Sequence, residues 1–428
     1  MSLTAGDLRV PKEKPVSHVK KNDACRYCGS KKLVKFLSLG KQPPSNSFLR
    51  SDQVASENRY PLEAYWCEAC FLVQLLDVVP AEAIFNNYFY AASSSKALKA
   101  HYARLAESLT ARFNVKAGEV VVDIGCNDGI LLHGYSKSGI VRVGVEPSQL
   151  GETAKTSGLQ VVRAFFGPAT ADSIVQHYGQ ARIVTATNVF AHVDNIAEFV
   201  SGLPRLLRND GVFVIESPYL INLIDEVLFD TIYHEHLCYL SLTPLVPFLK
   251  RFGLDLFDVE RIPFGASGPA IRVFVRRENA SLPIQDSVVR MLEMEAAWGI
   301  GKITPYQHYA KKVEEVKTRV LDLVKTLKRS AAHIGGYGAP AKGNTLLNYF
   351  DLTSDVIEYI AETNTLKQGF LTPGAHIPII SEEEFVKRMP DYALLLSWNY
   401  LDFFLENSDY IRRGGRFLVP LPTPQIVP

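Results

Sequence analysis

Six cysteines stand at positions 25, 28, 67, 70, 126 and 238, and four of them form two Cys-x-x-Cys pairs. Each pair can present two thiolates from one tight turn, so Cys25, Cys28, Cys67 and Cys70 together suit the tetrahedral shell of a zinc ion. Four thiolates leave no open position for a substrate, which makes the expected metal structural; redox or disulfide use is the weaker alternative. Cys126 and Cys238 have no activating cluster beside them and are expected to pack. A second concentration of chemistry is Tyr233-His234-Glu235-His236, a phenol, a carboxylate and two imidazoles in one short run. Near neutral pH a histidine is the fitting base, and a neighbouring glutamate could orient it or hold its proton. His234 by itself reads as a solvated or core residue.

Two further stretches suit ligands with ribose or phosphate groups. Val120 to Leu131 reads as a buried strand, a glycine-containing turn and a helix start. Asp123 ends the strand where its carboxylate can meet a cationic or hydroxyl-bearing ligand. Gly125 permits a sharp turn, and Gly129 a close approach of ligand to backbone. The third glycine of a dinucleotide fingerprint is missing. About 20 residues on, Val141 to Val145 forms a second strand ahead of Glu146, placed to accept both ribose hydroxyls of an adenosine ligand. From Ile334 to Thr345 the pattern restarts as strand, Gly-rich turn and helix start. Its free amides and Lys342 could meet an anion, although a plain tight turn explains the glycines equally well.

Elements must hold these groups in place. Strand-like runs at Arg182 to Thr185, Gly211 to Ile215 and Ala270 to Val275, spaced by helical lengths, extend the first pattern into a doubly wound sheet. Val356 to Ala361, Tyr392 to Ser397 and Arg416 to Val419 do the same for the second. Between them Val313, Val316, Val320, Leu323, Val324 and Leu327 recur at helical spacing, which predicts a long amphipathic connecting helix. A chain of 428 residues exceeds one hydrophobic core. The expected division is a disordered leader at 1–22, a four-cysteine module at 23–80, a Rossmann-like domain at 81–280, connecting helices at 281–330 and a second Rossmann-like α/β domain at 331–428. With 47% hydrophobic and 21% charged residues and a net charge of +1, the composition calls for neither nucleic acid nor a membrane surface. The apolar runs are far shorter than the roughly 20 residues of a membrane span. The first residues lack the apolar run of a signal peptide, so a cytoplasmic protein is expected.

In order and spacing the chain resembles the three-domain sugar C-methyltransferases that act on nucleotide-linked keto-deoxyhexoses. The resemblance spans nearly the whole length. It rests on the paired Cys-x-x-Cys module, on Glu119 to Ile130 with Gly144-Val145-Glu146-Pro147-Ser148, and on Tyr233-His234-Glu235-His236. It rests further on Gly338 to Asn344 and on Lys367-Gln368-Gly369 with Pro373 to Pro378. It implies S-adenosylmethionine held by Asp123, Gly125, Asn127, Asp128 and Glu146, with Gly129 and Asn188 counted beside them. It implies a nucleotide-linked sugar between the central and C-terminal domains, its diphosphate facing Tyr337, Lys342 and Asn344. It points to His236 as base, with Tyr233 and Glu235 beside it, and favours Tyr88 and His192 as site residues over scaffold. Carbon methylation fits such a set, because an enolate next to a ketone needs a base and an oxyanion stabiliser together. The chain departs from the family at Pro263 to Arg272, where many relatives carry a His-Gly-Gly-Ser-like turn, so the sugar or the methylated position can differ. The rival readings are methylation of oxygen or nitrogen, a nicotinamide oxidoreductase, disfavoured by the incomplete fingerprint, and a non-catalytic sugar-nucleotide binding protein.

Overall fold

The computed structural model describes residues 19–80, 84, 93, 96–136, 139–265 and 268–428. Around the four cysteines, strands Leu33–Gln42, Tyr60–Cys67 and Val73–Leu75 form an antiparallel meander. Alternation along Tyr60–Cys67 buries Leu62, Ala64 and Trp66 on one face. The fourth strand of this sheet is Cys238–Tyr239, which arrives from the middle of the chain and pairs with Gln74 and Val73. The expected leader is partly ordered: Lys20–Lys21 pairs with Asp77–Val78, and the Asn22 amide donates to the Leu76 carbonyl. Two residues of strand carry no readable pattern, so their partner alone fixes them.

The central sheet has seven strands: β1 (Val120–Ile124), β2 (Val141–Val145), β3 (Gln160–Val162), β4 (Ala181–Thr187), β5 (Leu207–Pro218), β6 (Leu254–Gly265) and β7 (Gly268–Arg277). Their order is β6-β7-β5-β4-β1-β2-β3. All are parallel except β7, which runs antiparallel between β5 and β6. The doubly wound sheet expected from the sequence is present, and the antiparallel β7 is a detail the sequence reading did not specify. A tight connection between Gly265 and Gly268 can join only antiparallel neighbours, whereas a parallel pair needs a crossover of a dozen or more residues. β1 is buried along its whole length, as a central parallel strand covered on both faces must be. The first helix described in this domain is α1 (Lys96–Arg112).

The C-terminal sheet comprises β8 (Ile334–Tyr337), β9 (Ile360–Glu362), β10 (Ile379–Ser381), β11 (Tyr392–Leu395), β12 (Phe417–Val419) and β13 (Gln425–Val427). In the order β10-β9-β8-β11-β12-β13 it is parallel apart from β13. The strand expected at Val356 to Ala361 begins only at Ile360; the Val356 and Ile357 amides close a turn on the Thr353 carbonyl. α2 (Thr304–Arg329) is the long amphipathic helix, with Tyr306, Tyr309, Val313, Val316, Val320, Val324 and Leu327 buried. It does more than connect. One apolar core joins Leu62 and Trp66 of the cysteine module, Leu220 and Phe229, the buried stripe of α2, and Leu346 and Ile360 of the C-terminal domain. α3 (Ala341–Phe350) follows the Gly-rich turn and packs beside the short turn Phe229–Thr231. Among the described residues no helix is long and apolar enough to cross a membrane.

Candidate active site

The two cysteine turns are built alike. The amide of the residue after each pair, Gly29 or Phe71, donates back to the first cysteine's carbonyl, at 2.9 and 2.8 Å. Both residues have left-handed backbone, φ +73° at Gly29 and +69° at Phe71. Glycine adopts this freely; Phe71 is held there with its ring stacked 5.9 Å from Trp66. All four sulfurs lie within 4.8 Å of one another, with Cys25 to Cys70 at 3.5 Å and Cys28 to Cys67 at 3.6 Å. Zinc–sulfur bonds of about 2.3 Å at tetrahedral angles separate the sulfurs by about 3.8 Å, so the residues fit zinc. Their ionisation conflicts without a cation. The hydrogen bond from Cys70 holds Cys25 down to about 5, Cys70 is itself pushed up by that bond, and burial raises Cys28 to about 11. A divalent cation that takes four thiolates removes the conflict.

A cavity of about 450 Å³ opens at the carboxyl ends of β1, β2 and β4, where an open α/β sheet reverses strand order and binds its ligand. Asp123, Gly125, Asn127, Glu146, Asn188 and His192 line it. Glu146 accepts the Asn127 amide at 2.9 Å and the Ser148 amide at 2.8 Å. Each of its oxygens keeps acceptor capacity for a ribose hydroxyl. Asp123 accepts the Thr185 hydroxyl at 2.6 Å, and burial pushes its carboxyl up to about 7. A cationic ligand would hold it ionised. Gly125 has φ +70°, and a Cβ there would stand 2.3 Å from Val189.

Asp128 and Gly129 are absent from this lining. Asp128 accepts the Ser93 amide at 3.1 Å. A Cβ on Gly129, φ +85°, would meet Leu159 at 2.2 Å, so helix packing, not ligand approach, requires that glycine. Sequence reasoning missed Phe165 and Phe166, which also line the cavity. Phe165 is 64% exposed, an apolar ring at the lip of a cavity. The signal was available: both residues follow β3 at the ligand edge of the sheet. Tyr88 lies outside the described residues.

The segment 233–236 sits where the central sheet meets the cysteine module. His236 Nδ1 lies 2.7 Å from the Thr231 carbonyl. A carbonyl only accepts, so Nδ1 carries the proton and Nε2 keeps the lone pair. Burial pushes the His236 pKa down to about 4 and that of His192 to about 3. The Tyr233 ring lies 4.0 Å and the His192 ring 5.1 Å from that of His236, centroid to centroid. A small cavity of about 10 Å³ touches His236, Thr231, Asn188 and His192, so Asn188 and His192 border both cavities. Glu235 does not orient His236. It lines the large cavity and accepts the Asn46 amide group at 2.7 Å, while burial raises its carboxyl to about 7. The sequence places the two residues adjacently but gives no direction to either side chain. His234 is buried and its Nε2 faces the Tyr60 and Pro61 carbonyls at 3.3 and 3.2 Å.

The three C-terminal candidates do not converge. The Tyr337 hydroxyl donates to Glu382 and lies 3.0 Å from Ser408, and its ring packs on Phe385 and Phe417. This is a core position, and the expectation that Tyr337 faces a diphosphate is corrected: strand alternation turns it away from the Gly-rich turn. Lys342 is buried, donates to Asn399 and lies 4.0 Å from the Trp398 ring centre; burial lowers its pKa to about 8. Asn344 donates to the Ser45 carbonyl at 2.7 Å. None of the three lines the large cavity. Glu362, which the sequence reading passed over, reproduces the setting of Glu146. It is the last residue of β9, accepts the Ala339 amide of the Gly-rich turn at 3.0 Å, and accepts the amide two residues on, Asn364, at 2.9 Å.

The doubly wound sheet with its antiparallel β7 and the cavity at its strand ends, taken with the domain matches that follow, make the chain an S-adenosylmethionine-dependent methyltransferase. Residues 25–85 match a zinc-binding domain, 97–259 a methyltransferase domain and 265–422 a C-methyltransferase C-terminal domain. The chain is 34% identical over 408 residues to C-methyltransferase NovU of Streptomyces niveus, covering 95% of this chain and 97% of that one. It belongs to this family of zinc-containing C-methyltransferases. It is also 29% identical over 169 residues to the ubiquinone biosynthesis O-methyltransferase of Methylococcus capsulatus, covering 35% of this chain and 68% of the relative. The magnesium protoporphyrin IX methyltransferase of Synechocystis overlaps 42% of the chain and 79% of its own, at 14% identity and a TM-score of 0.31.

Proposed function

We propose that the chain methylates the carbon α to the keto group of a nucleotide-linked deoxy sugar, through an enolate generated by His236. The observation that carries this reading is the Thr231 carbonyl on His236 Nδ1, which leaves Nε2 as the proton acceptor in a site bordered by His192 and Asn188. Glu146 and the β1 turn would hold S-adenosylmethionine, which would supply an electrophilic methyl group. His236 Nε2 takes the α-proton, and the electron pair of that C–H bond moves into the carbonyl. Tyr233 and His192 flank the base and are the candidate donors to the enolate oxygen. The enolate's electron pair forms the new C–C bond to the methyl carbon as the carbonyl re-forms, the S–CH3 bond breaks with its electron pair left on sulfur so that S-adenosylhomocysteine departs, and His236 returns its proton to water.

Two features support a nucleotide on the substrate. The C-terminal sheet reverses its strand order at β8 and β11 beside the Gly-rich turn, and Glu362 repeats the ribose-binding geometry of Glu146. Lys342 at the start of α3 is the candidate for the diphosphate, exchanging Asn399 for it. The test is incubation with S-adenosylmethionine and a panel of nucleotide-linked keto-deoxy sugars, with products read by mass spectrometry. In deuterium oxide without the methyl donor, the substrate is expected to exchange its α-proton, and His236→Asn to abolish the exchange. A methylated product without any such exchange, or exchange that survives His236→Asn, would remove His236 as the base.

A further inference from the structure

Arg26 lies between two of the zinc-binding cysteines, yet its side chain is only 3% exposed. Its guanidinium bridges the cysteine module and the central domain. Nε donates to Asp194 Oδ1 at 3.1 Å, and Nη1 donates to Gln74 Oε1 at 3.2 Å and to the Leu75 carbonyl. The Arg26 amide fixes the same Gln74 oxygen at 3.2 Å. Asp194 receives two more donors from the segment just before the module, Asn22 at 2.7 Å and Lys20 at 2.8 Å. Burial works against ionisation there, but Lys20, Arg26 and Asn22 hold the carboxyl below the usual range. Asp194 lines the 450 Å³ cavity, on the same loop as Asn188 and His192.

We infer that Arg26 is a positioning residue through which the zinc turn sets the wall of the S-adenosylmethionine cavity. The backbone of Arg26 is pinned between Cys25 and Cys28, so the metal fixes where its guanidinium can reach. A planar fork committed to both Asp194 and Gln74 transmits that position, because it loses its hydrogen bonds when either end shifts. The far end of the link is the loop 188–195, whose last residue, Asn195, caps the following helix by accepting the Glu198 amide. The metal is thereby coupled to cofactor affinity although its closed thiolate shell touches no ligand. This inference rests on the large cavity being the cofactor's site.

The test is a double-mutant cycle on the full-length zinc-loaded protein with Arg26→Gln and Asp194→Asn. S-adenosylmethionine affinity is read by calorimetry and zinc by metal analysis. Each single variant is expected to keep its zinc and to weaken cofactor binding about tenfold, within the usual span of site-to-site coupling. The double variant is expected to bind no more weakly than the worse single one. Arg26→Lys, which keeps the charge but not the fork, is expected to fall between wild type and Arg26→Gln. If Arg26→Gln does not fold, Asp194→Asn, nearly isosteric and outside the module, reads the same link. Cofactor affinity unchanged in zinc-loaded variants, or losses that simply add, overturns the coupling. Glu146→Ala in parallel separates the two failures: weakened binding there with an unaltered Arg26→Gln condemns the coupling alone, while unaltered binding in both also removes the cofactor from this cavity.

Discussion

In the proposed mechanism the direction of one hydrogen bond, between His236 Nδ1 and the Thr231 carbonyl, leaves Nε2 to act as the base. A base acts only when unprotonated, so activity disappears as pH falls through its pKa. With burial holding His236 at about 4, kcat/KM is expected to stay level through neutrality and to fall only on an acid limb near 4. Glu235, raised to about 7, would instead place that limb near neutrality, so the profile tells the two bases apart. His236→Asn is expected to cost about a hundredfold to ten-thousandfold in kcat, with S-adenosylmethionine affinity retained. Glu146→Ala is expected to weaken the cofactor by about 1.5–3 kcal/mol, the range for hydrogen bonds to a charged group; calorimetry showing no change would mean that the ribose lies elsewhere. Residue types and spacing drew attention to Glu146 and to the run 233–236, within which the family resemblance pointed to His236. They were not enough to find Thr231, whose side chain plays no part in orienting the base, or to see that Tyr337 points into a core. Backbone carbonyls and side-chain directions have no signature in a sequence.

Among the elements, the turn after β1 contains two glycines with different duties. A left-handed backbone costs a residue with a Cβ roughly 1–2 kcal/mol, and both Gly125 and Gly129 also have a neighbour closer than 2.5 Å to where a Cβ would stand. Gly125→Ala and Gly129→Ala are therefore both expected to lower the unfolding temperature. Only Gly125→Ala should also weaken cofactor binding beyond this shared loss of stability, because Val189, which it would push, lines the cavity. Equal cofactor affinities in the two variants would contradict that division. β1 and β5 were legible because each holds a contiguous apolar run, Val120 to Val122 and Val212 to Ile215, that stops at a carboxylate, Asp123 or Glu216. Strand Cys238–Tyr239 was not, being two residues long and paired with Val73 and Gln74 far earlier in the chain. β6 escaped notice for another reason: its charged residues, Asp255, Asp258, Glu260 and Arg261, break the apolar run.

On the scale of the whole molecule, the cysteine module and the C-terminal sheet bury their apolar faces against the same helix α2 and share one core. The linear division into domains could not show this, since a helix with a buried stripe does not say what covers it. The expected consequence is cooperative melting: chelating the zinc should lower the unfolding temperature of the whole chain in calorimetry. A separate low-temperature transition for residues 23–80, with the rest unmoved, would contradict the shared core. Strand Cys238–Tyr239 also bears on the order of events at the ribosome. The cysteine module emerges first, but Val73–Leu75 remains an open edge until Cys238 is made. The roughly 160 intervening residues take on the order of ten to thirty seconds to synthesise at about 5–20 residues per second. Throughout that interval the nascent sheet offers unpaired amides and carbonyls to any passing strand, so the strand that closes this sheet also ends its opening to aggregation or chaperone capture.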